Sequence, residues 1–375
     1  MKKILLLLVT LLTAINFSAC GVDKHAQNNS DTIKVVTTIF PAYDWTRAIV
    51  GDEKNFELTL LGGTGVDLHS FQPTAQDIAK ISDCDVFIYV GGKSEAWVND
   101  ALKQVTNKNL VVVKLLDVLG NKVKHEEISA GMQDEHKIID KSHHSGSHHS
   151  IHSESHHDSS HENSAHETHA PSVTHENLHE DETHSSPVHY THTHRHHHDK
   201  PEIDEHVWLS LKNAQILCDA IADALIKVDP SNEKTFRTNV AAYKEKLAAL
   251  DKNYKQTVDD APVKTLLFGD RFPFRYLVDD YGLKYFAAFS GCSAETEASF
   301  STIKFLADKV DELNLHYVIK IDGATHKIAE TIVKNTKTKE QTILTLDSMQ
   351  SAGTNANYLD VMTKNLEVLR EALSK

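Results

Sequence analysis

The 375-residue chain is poor in cysteine, with four: Cys20, Cys84, Cys218 and Cys292. None stands in a C-x-x-C pair, which argues against a thiolate-built zinc finger or ribbon. Past the N-terminal segment there is no apolar run long enough to span a bilayer. Positive charge is not in excess either: 39 Lys and Arg against 53 Asp and Glu leave a formal net charge of -14. An acidic surface repels phosphate backbones, so nucleic-acid binding is set aside, while cations suit it. No nucleophile–base set or water-activating constellation is evident, and no catalysis is expected. The one H-E-x-x-H match, His175 to His179, lies where His and Glu recur every few residues. A protease motif needs a helix that sets both rings on one face, which this composition does not offer.

What the chain has in abundance is histidine. Of its 26 His residues, 21 fall between His125 and His198, including His143, His144, His148, His149, His196, His197 and His198. The intervening residues are mostly Ser, Glu, Asp and Thr. Such a segment cannot bury enough surface to offset the entropy of ordering, so residues 125–203 are expected to be a disordered insert. Imidazole is mostly neutral above about pH 6.5 and then binds zinc. The insert is therefore expected to be an accessory that captures zinc locally and passes it to an ordered site, or senses its abundance.

Residues 1–20 read as an export signal. Lys2 and Lys3 precede an apolar stretch, Ile4 to Ile15, that is too short to cross a bilayer comfortably. It ends at Phe17-Ser18-Ala19-Cys20, followed by Gly21, which resembles the bacterial lipobox. The resemblance implies that Cys20 becomes a lipid-modified N-terminus. Residues 21–30 then form a polar tether, and the mature chain is anchored on the extracytoplasmic face.

Residues 31–124 alternate short apolar runs with helical patterns, as expected of a parallel α/β lobe. Strands are predicted at Ile33–Thr38, Phe56–Leu61, Asp85–Val90 and Leu110–Lys114, and helices at 42–50, 74–82 and 94–105. Residues 204–229 supply a helix completing this lobe. Asp229-Pro230-Ser231 breaks it, and residues 230–262 follow as one long linking helix. The alternation returns over 263–375, beginning with a strand predicted at Lys264–Phe268. The fold class expected is α/β, with two lobes linked by a single long helix and a metal site in the cleft between them.

Four segments could line that cleft, because α/β proteins place ligand groups at the carboxyl ends of their strands. His69 follows a strand and a Gly-rich loop; a hydrogen-bonded loop histidine is the plainer reading. His206, in Asp204-Glu205-His206-Val207-Trp208, begins ordered-looking sequence beyond the tract. Asp270-Arg271 ends a strand, with a structural turn as the alternative. Asp347 follows another strand and could equally cap a turn. Two imidazoles with one or two carboxylates would make a tetrahedral zinc set. Two imidazoles and a His-rich tract favour zinc over manganese, which prefers more oxygen.

Taken together, these segments resemble the zinc/manganese cluster of ABC-transporter substrate-binding proteins. The resemblance rests on His69-Ser70-Phe71-Gln72-Pro73, Asp204-x-His206-x-Trp208-Leu209, Phe274-x-Tyr276 with Tyr281-Gly282-Leu283, and Leu346-Asp347-Ser348. It covers nearly all of the mature chain, and a His-rich insert before the second motif is typical of the zinc-specific members. It implies a monomeric receptor that hands Zn2+ to the membrane subunit of an ABC permease. A manganese receptor or surface adhesin of the same fold is the alternative, and a zinc hydrolase a more distant one. The implied ligands are His69, His206, Asp270 and Asp347. Where the family has His or Glu before the aromatic-x-Tyr, this chain has Asp270-Arg271. A guanidinium cannot ligate a cation, so Asp270 is expected as the ligand and Arg271 as the partner of a carboxylate. Glu295, Glu297 and the soft donor Cys292 share a nearby loop and stand as further candidates.

Overall fold

The computed structural model describes residues 32–63, 65–133, 202–293 and 297–375. Cys20, the histidine tract from His143 to His198, the His175–His179 match and Glu295 lie outside the described residues.

Each lobe is a four-stranded parallel sheet with helices on its faces. In the first, β1 (Ile33–Thr37), β2 (Phe56–Leu60), β3 (Val86–Tyr89) and β4 (Val111–Lys114) take the order β2-β1-β3-β4. In the second, β5 (Thr265–Phe272), β6 (Lys284–Ser290), β7 (Tyr317–Ile321) and β8 (Thr342–Leu346) repeat it as β6-β5-β7-β8. The chain therefore leaves β1 to one side and returns to the other, and likewise at β5. Each sheet has a switch point that opens a crevice at its carboxyl edge.

The helices of the first lobe are α1 (Phe40–Val50), α2 (Ala75–Asp83), α3 (Val98–Leu102), α4 (Leu115–Leu119) and α5 (Leu211–Val228). Helix α6 (Glu233–Asp260) follows, then α7 (Arg275–Tyr281), α8 (Phe300–Glu312), α9 (Lys327–Asn335) and α10 (Tyr358–Ala372). The starts follow local chemistry. Thr74 and Asp77 form a reciprocal capping box on α2, and Ser210 caps α5 through the Asn213 N–H.

Helix α6 spans 28 residues, about 42 Å at 1.5 Å per residue. Its buried stripe, Phe236, Val240, Tyr243, Leu247, Leu250, Tyr254 and Val258, steps by three or four residues, so one face stays apolar from end to end. Phe236 meets Phe56 edge-on in the first lobe, and Tyr254 stacks on Tyr281 and donates to the Met362 carbonyl in the second. The stripe thus joins both lobes to one apolar core.

Three expectations need revising. The helix predicted over 94–105 is broken into a single turn, Lys93–Glu95, and the short α3. The cause is Glu95, which turns inward, is buried, and accepts the Gly91 N–H at 2.6 Å. Strand β5 runs on to Phe272, past the predicted Phe268, through an irregularity between Phe268 and Arg271. The insert expected over 125–203 has built ends. His125 pairs with Ile203, the Glu126 N–H donates to Glu202, and Met132 is buried, so described structure reaches Gln133 and resumes at Glu202.

Candidate metal centre

Loops at the carboxyl ends of β2, β3, β6 and β8, together with the segment before α5, converge on one point. After β2 the backbone turns at Gly62 and Gly63, both at positive φ. Asp67 then caps a short turn by accepting the His69 N–H at 2.9 Å, and Leu68 anchors that turn in the core. His69 is thus presented from a fixed loop, with its Nδ1 2.7 Å from Ser94 Oγ in the loop after β3.

His206 is fully buried. Asp204 Oδ1 accepts both its backbone N–H and its ring Nδ1–H, each at 2.9 Å, and the edge of the Trp208 ring packs against it. These partners put the proton on Nδ1 and leave the lone pair on Nε2. The two Nε2 atoms, of His69 and of His206, face each other 3.0 Å apart. A tetrahedral zinc ion bound to two imidazoles at 2.0–2.1 Å sets its nitrogens about 3.3 Å apart, so only a small movement admits it.

Burial, reinforced by His206, holds His69 down to about pKa 3. The ring is therefore neutral across the physiological range and its lone pair is free to ligate. Behind it stand two buried carboxylates. Glu205 is 1% exposed, with Oε1 accepting the Ser94 N–H at 2.8 Å and Oε2 3.8 Å from His69 Nδ1. Asp204 lies under His206. Their negative charge favours a divalent cation in front of the rings.

Among the described residues, one group of His, Cys and carboxylate donors could hold a metal: His69, His206 and Cys292, with donor atoms all within 4.8 Å of one another. Cys292 follows β6, and its N–H donates to Glu126 Oε1 at 2.9 Å. Gly291 before it lies against the His206 ring; a Cβ there would sit 2.9 Å from both the ring Cε1 and the Phe272 carbonyl oxygen. No larger residue fits without moving the site. From the loop after β8, the Gln350 side-chain amide reaches to 2.7 Å from His206 Nε2. It is presented by Met349, a non-glycine residue at φ 59°.

The structure does not bring Asp270 or Asp347 into this group. Asp270 is 7% exposed and both its oxygens are engaged by the backbone: Oδ1 accepts the Arg271 N–H at 2.8 Å and Oδ2 the Ile321 N–H at 3.1 Å. Asp347 Oδ1 accepts the Met349 N–H at 2.7 Å and so shapes the turn that carries Gln350. Arg271 pairs with Asp67 at 3.1 Å, at the rim of the site. Glu297 is exposed. Sequence reasoning did not single out Ser94, Glu205 or Gln350 as contacts of the imidazoles. Glu205 had a local signal, since it stands next to His206; Gln350 had none.

A family model described as "ZnuA: Zinc-uptake complex component A periplasmic" matches residues 35–372. The "Zinc-binding lipoprotein AdcA" of Streptococcus pneumoniae is 31% identical over 373 residues, 99% of this chain and 61% of that protein. The present chain thus spans somewhat under two thirds of that relative. The "High-affinity zinc uptake system protein ZnuA" of Bacillus subtilis is 28% identical over 361 residues, 95% of this chain and 93% of that one. Among solved structures, the Zn(II)-bound ZnuA-like domain of the pneumococcal AdcA superposes with a TM-score of 0.60 at 25% identity, covering 92% of this chain and all of that one.

Proposed function

Since the chain belongs to the zinc-uptake component A family, we propose that it is a receptor that captures zinc outside the cytoplasm and delivers it to an ABC permease. Zinc is here the cargo. It binds between His69 Nε2 and His206 Nε2, and that facing pair is the observation that carries the reading. Each ring is pre-oriented through its other nitrogen, by Ser94 and by Asp204. A ligand pair held in this way loses little freedom on binding, which favours tight capture.

Release follows from the same architecture. His69 sits on a loop of the first lobe, while Gln350 and Cys292 sit on loops of the second. The Arg271–Asp67 ion pair and the Gly65 N–H to Ser351 carbonyl bond cross the junction beside them. A permease that grips both lobes and loosens these contacts draws the second-lobe loops away from the His69–His206 pair and lets zinc go. The lipid anchor at Cys20, the monomeric state and the absence of catalysis belong to this same reading.

Chelator competition on the full chain tests it. The wild-type protein is expected to keep one zinc per molecule against a competitor that strips the His-rich segment. His69→Ala and His206→Ala should each lose that zinc. Retention by both variants would refute the reading, as would restored growth at scarce zinc when either variant replaces the receptor of a host strain.

A further inference from the structure

We propose that Cys292 is the third metal ligand, as a thiolate, and that it makes the centre selective for zinc and softer ions over manganese. The inference rests on the reading of His69 and His206 as the zinc-binding pair, and extends it to the class of metal the site accepts. Its first support is position: Cys292 Sγ lies within 4.8 Å of a ring nitrogen of each imidazole. In a tetrahedral site, with zinc–sulfur at about 2.3 Å and zinc–nitrogen at about 2.0 Å, sulfur and nitrogen stand about 3.5 Å apart. The donors therefore have to close by at most about 1.3 Å.

The loop is also built to hold the sulfur there. Gly291 lies flat on His206, where a side chain would collide with the ring. Glu126 reaches from the base of the insert to accept the Cys292 backbone N–H. The other two described cysteines differ. Cys84 and Cys218 are fully buried in apolar clusters, where a cysteine serves as a small hydrophobe. Cys292 is part-exposed, forms no disulfide, and faces two imidazoles. Of the carboxylates that might have taken its place, Asp270 has committed both oxygens to backbone N–H groups.

The chemistry is a ligand exchange without redox change. A sulfur lone pair goes to the metal, the S–H bond breaks, and the proton leaves to solvent. A set of two imidazoles and one thiolate favours zinc, cadmium or copper(I), whereas manganese(II) favours carboxylate and water oxygens.

Cobalt(II), added at one equivalent to the reduced full chain, is the probe. The wild-type protein should show a near-ultraviolet thiolate-to-cobalt charge-transfer band. Cys292→Ser should lose the band yet still bind cobalt, with affinity lower by at least the ~10–100-fold that removal of a supporting partner costs. Cys292→Asp should narrow the preference for zinc over manganese. No band in the wild type, or an undiminished one in Cys292→Ser, would overturn the proposal. A full band together with full affinity in the His69→Ala and His206→Ala variants would instead sink the reading beneath it. A measurement on the unaltered sequence removes any dependence on variant folding. One equivalent of zinc should slow iodoacetamide alkylation of Cys292, read by mass spectrometry, and an unchanged rate would contradict the assignment.

Discussion

At the scale of the residue, burial bends the ordinary ionisation of His69 at the centre and of Glu95 near it. His69 stays neutral far below neutrality and keeps its lone pair available. Glu95 shows the opposite effect of the same cause, its carboxyl pushed up to about 7 by burial. Between the unfolded value near 4.5 and about 7 the folded state binds the extra proton, so this group's contribution to stability falls as pH rises through that window. Above it, the buried charge costs on the order of 3 kcal/mol. Glu95→Gln should therefore be about as stable as the wild type near pH 5 and more stable by up to that amount at pH 8, in urea titrations. A stability gap that does not grow with pH would contradict this. His69 and His206 could be singled out in the sequence because His206 stands just beyond the low-complexity tract and His69 lies in a loop between recognisable elements. Asp270 stood out in the sequence because its neighbour Arg271 had to be explained, and a carboxylate at a strand end is a natural candidate. Its commitment to two backbone N–H groups is a tertiary fact that no local pattern records.

At the scale of the element, that commitment has a purpose. Strands β5 and β7 share the register pair Phe268↔Ile319, and β5 is irregular just beyond it. Where the ladder falters, Asp270 Oδ2 takes the Ile321 N–H in place of a backbone carbonyl. Asp270→Ala leaves two buried donors without this acceptor and should destabilise the fold by about 2–4 kcal/mol. Zinc affinity, measured well below the unfolding transition, should change little. A large loss of zinc from a folded Asp270→Ala protein would restore Asp270 as a ligand. Gly291→Ala should do the reverse: the added methyl meets the His206 ring, so zinc is lost while the fold persists. Zinc retained at wild-type affinity in that variant would contradict the close packing. The strands were readable from apolar runs bounded by turn residues. The region 94–105 was not, because its periodicity suits a helix while Glu95 is drawn inward by the Gly91 N–H.

At the scale of the whole molecule, two sheets of the same topology face their carboxyl edges toward one point, with α6 bridging them. The apolar stripe of that helix was visible in the sequence, and with it the two-lobed plan. Which loops meet was not, since their convergence depends on long-range contacts such as Tyr276 Oη to the Asp204 carbonyl and Trp208 Nε1 to the Ser348 carbonyl. With Cys292 as the proposed third ligand, the zinc ligands come from both lobes, so zinc should stabilise the molecule as a unit, by about 2.7 kcal/mol at a free concentration a hundred times Kd. The gain should vanish in His206→Ala.

The most direct test is a crystal structure of the zinc-loaded full chain with anomalous data at the zinc edge. A strong peak is expected about 2.0–2.1 Å from the Nε2 atoms of His69 and His206 and about 2.3 Å from Cys292 Sγ. A peak held instead by Asp270 and Asp347, or zinc bound at the histidine tract with none between His69 and His206, would contradict it.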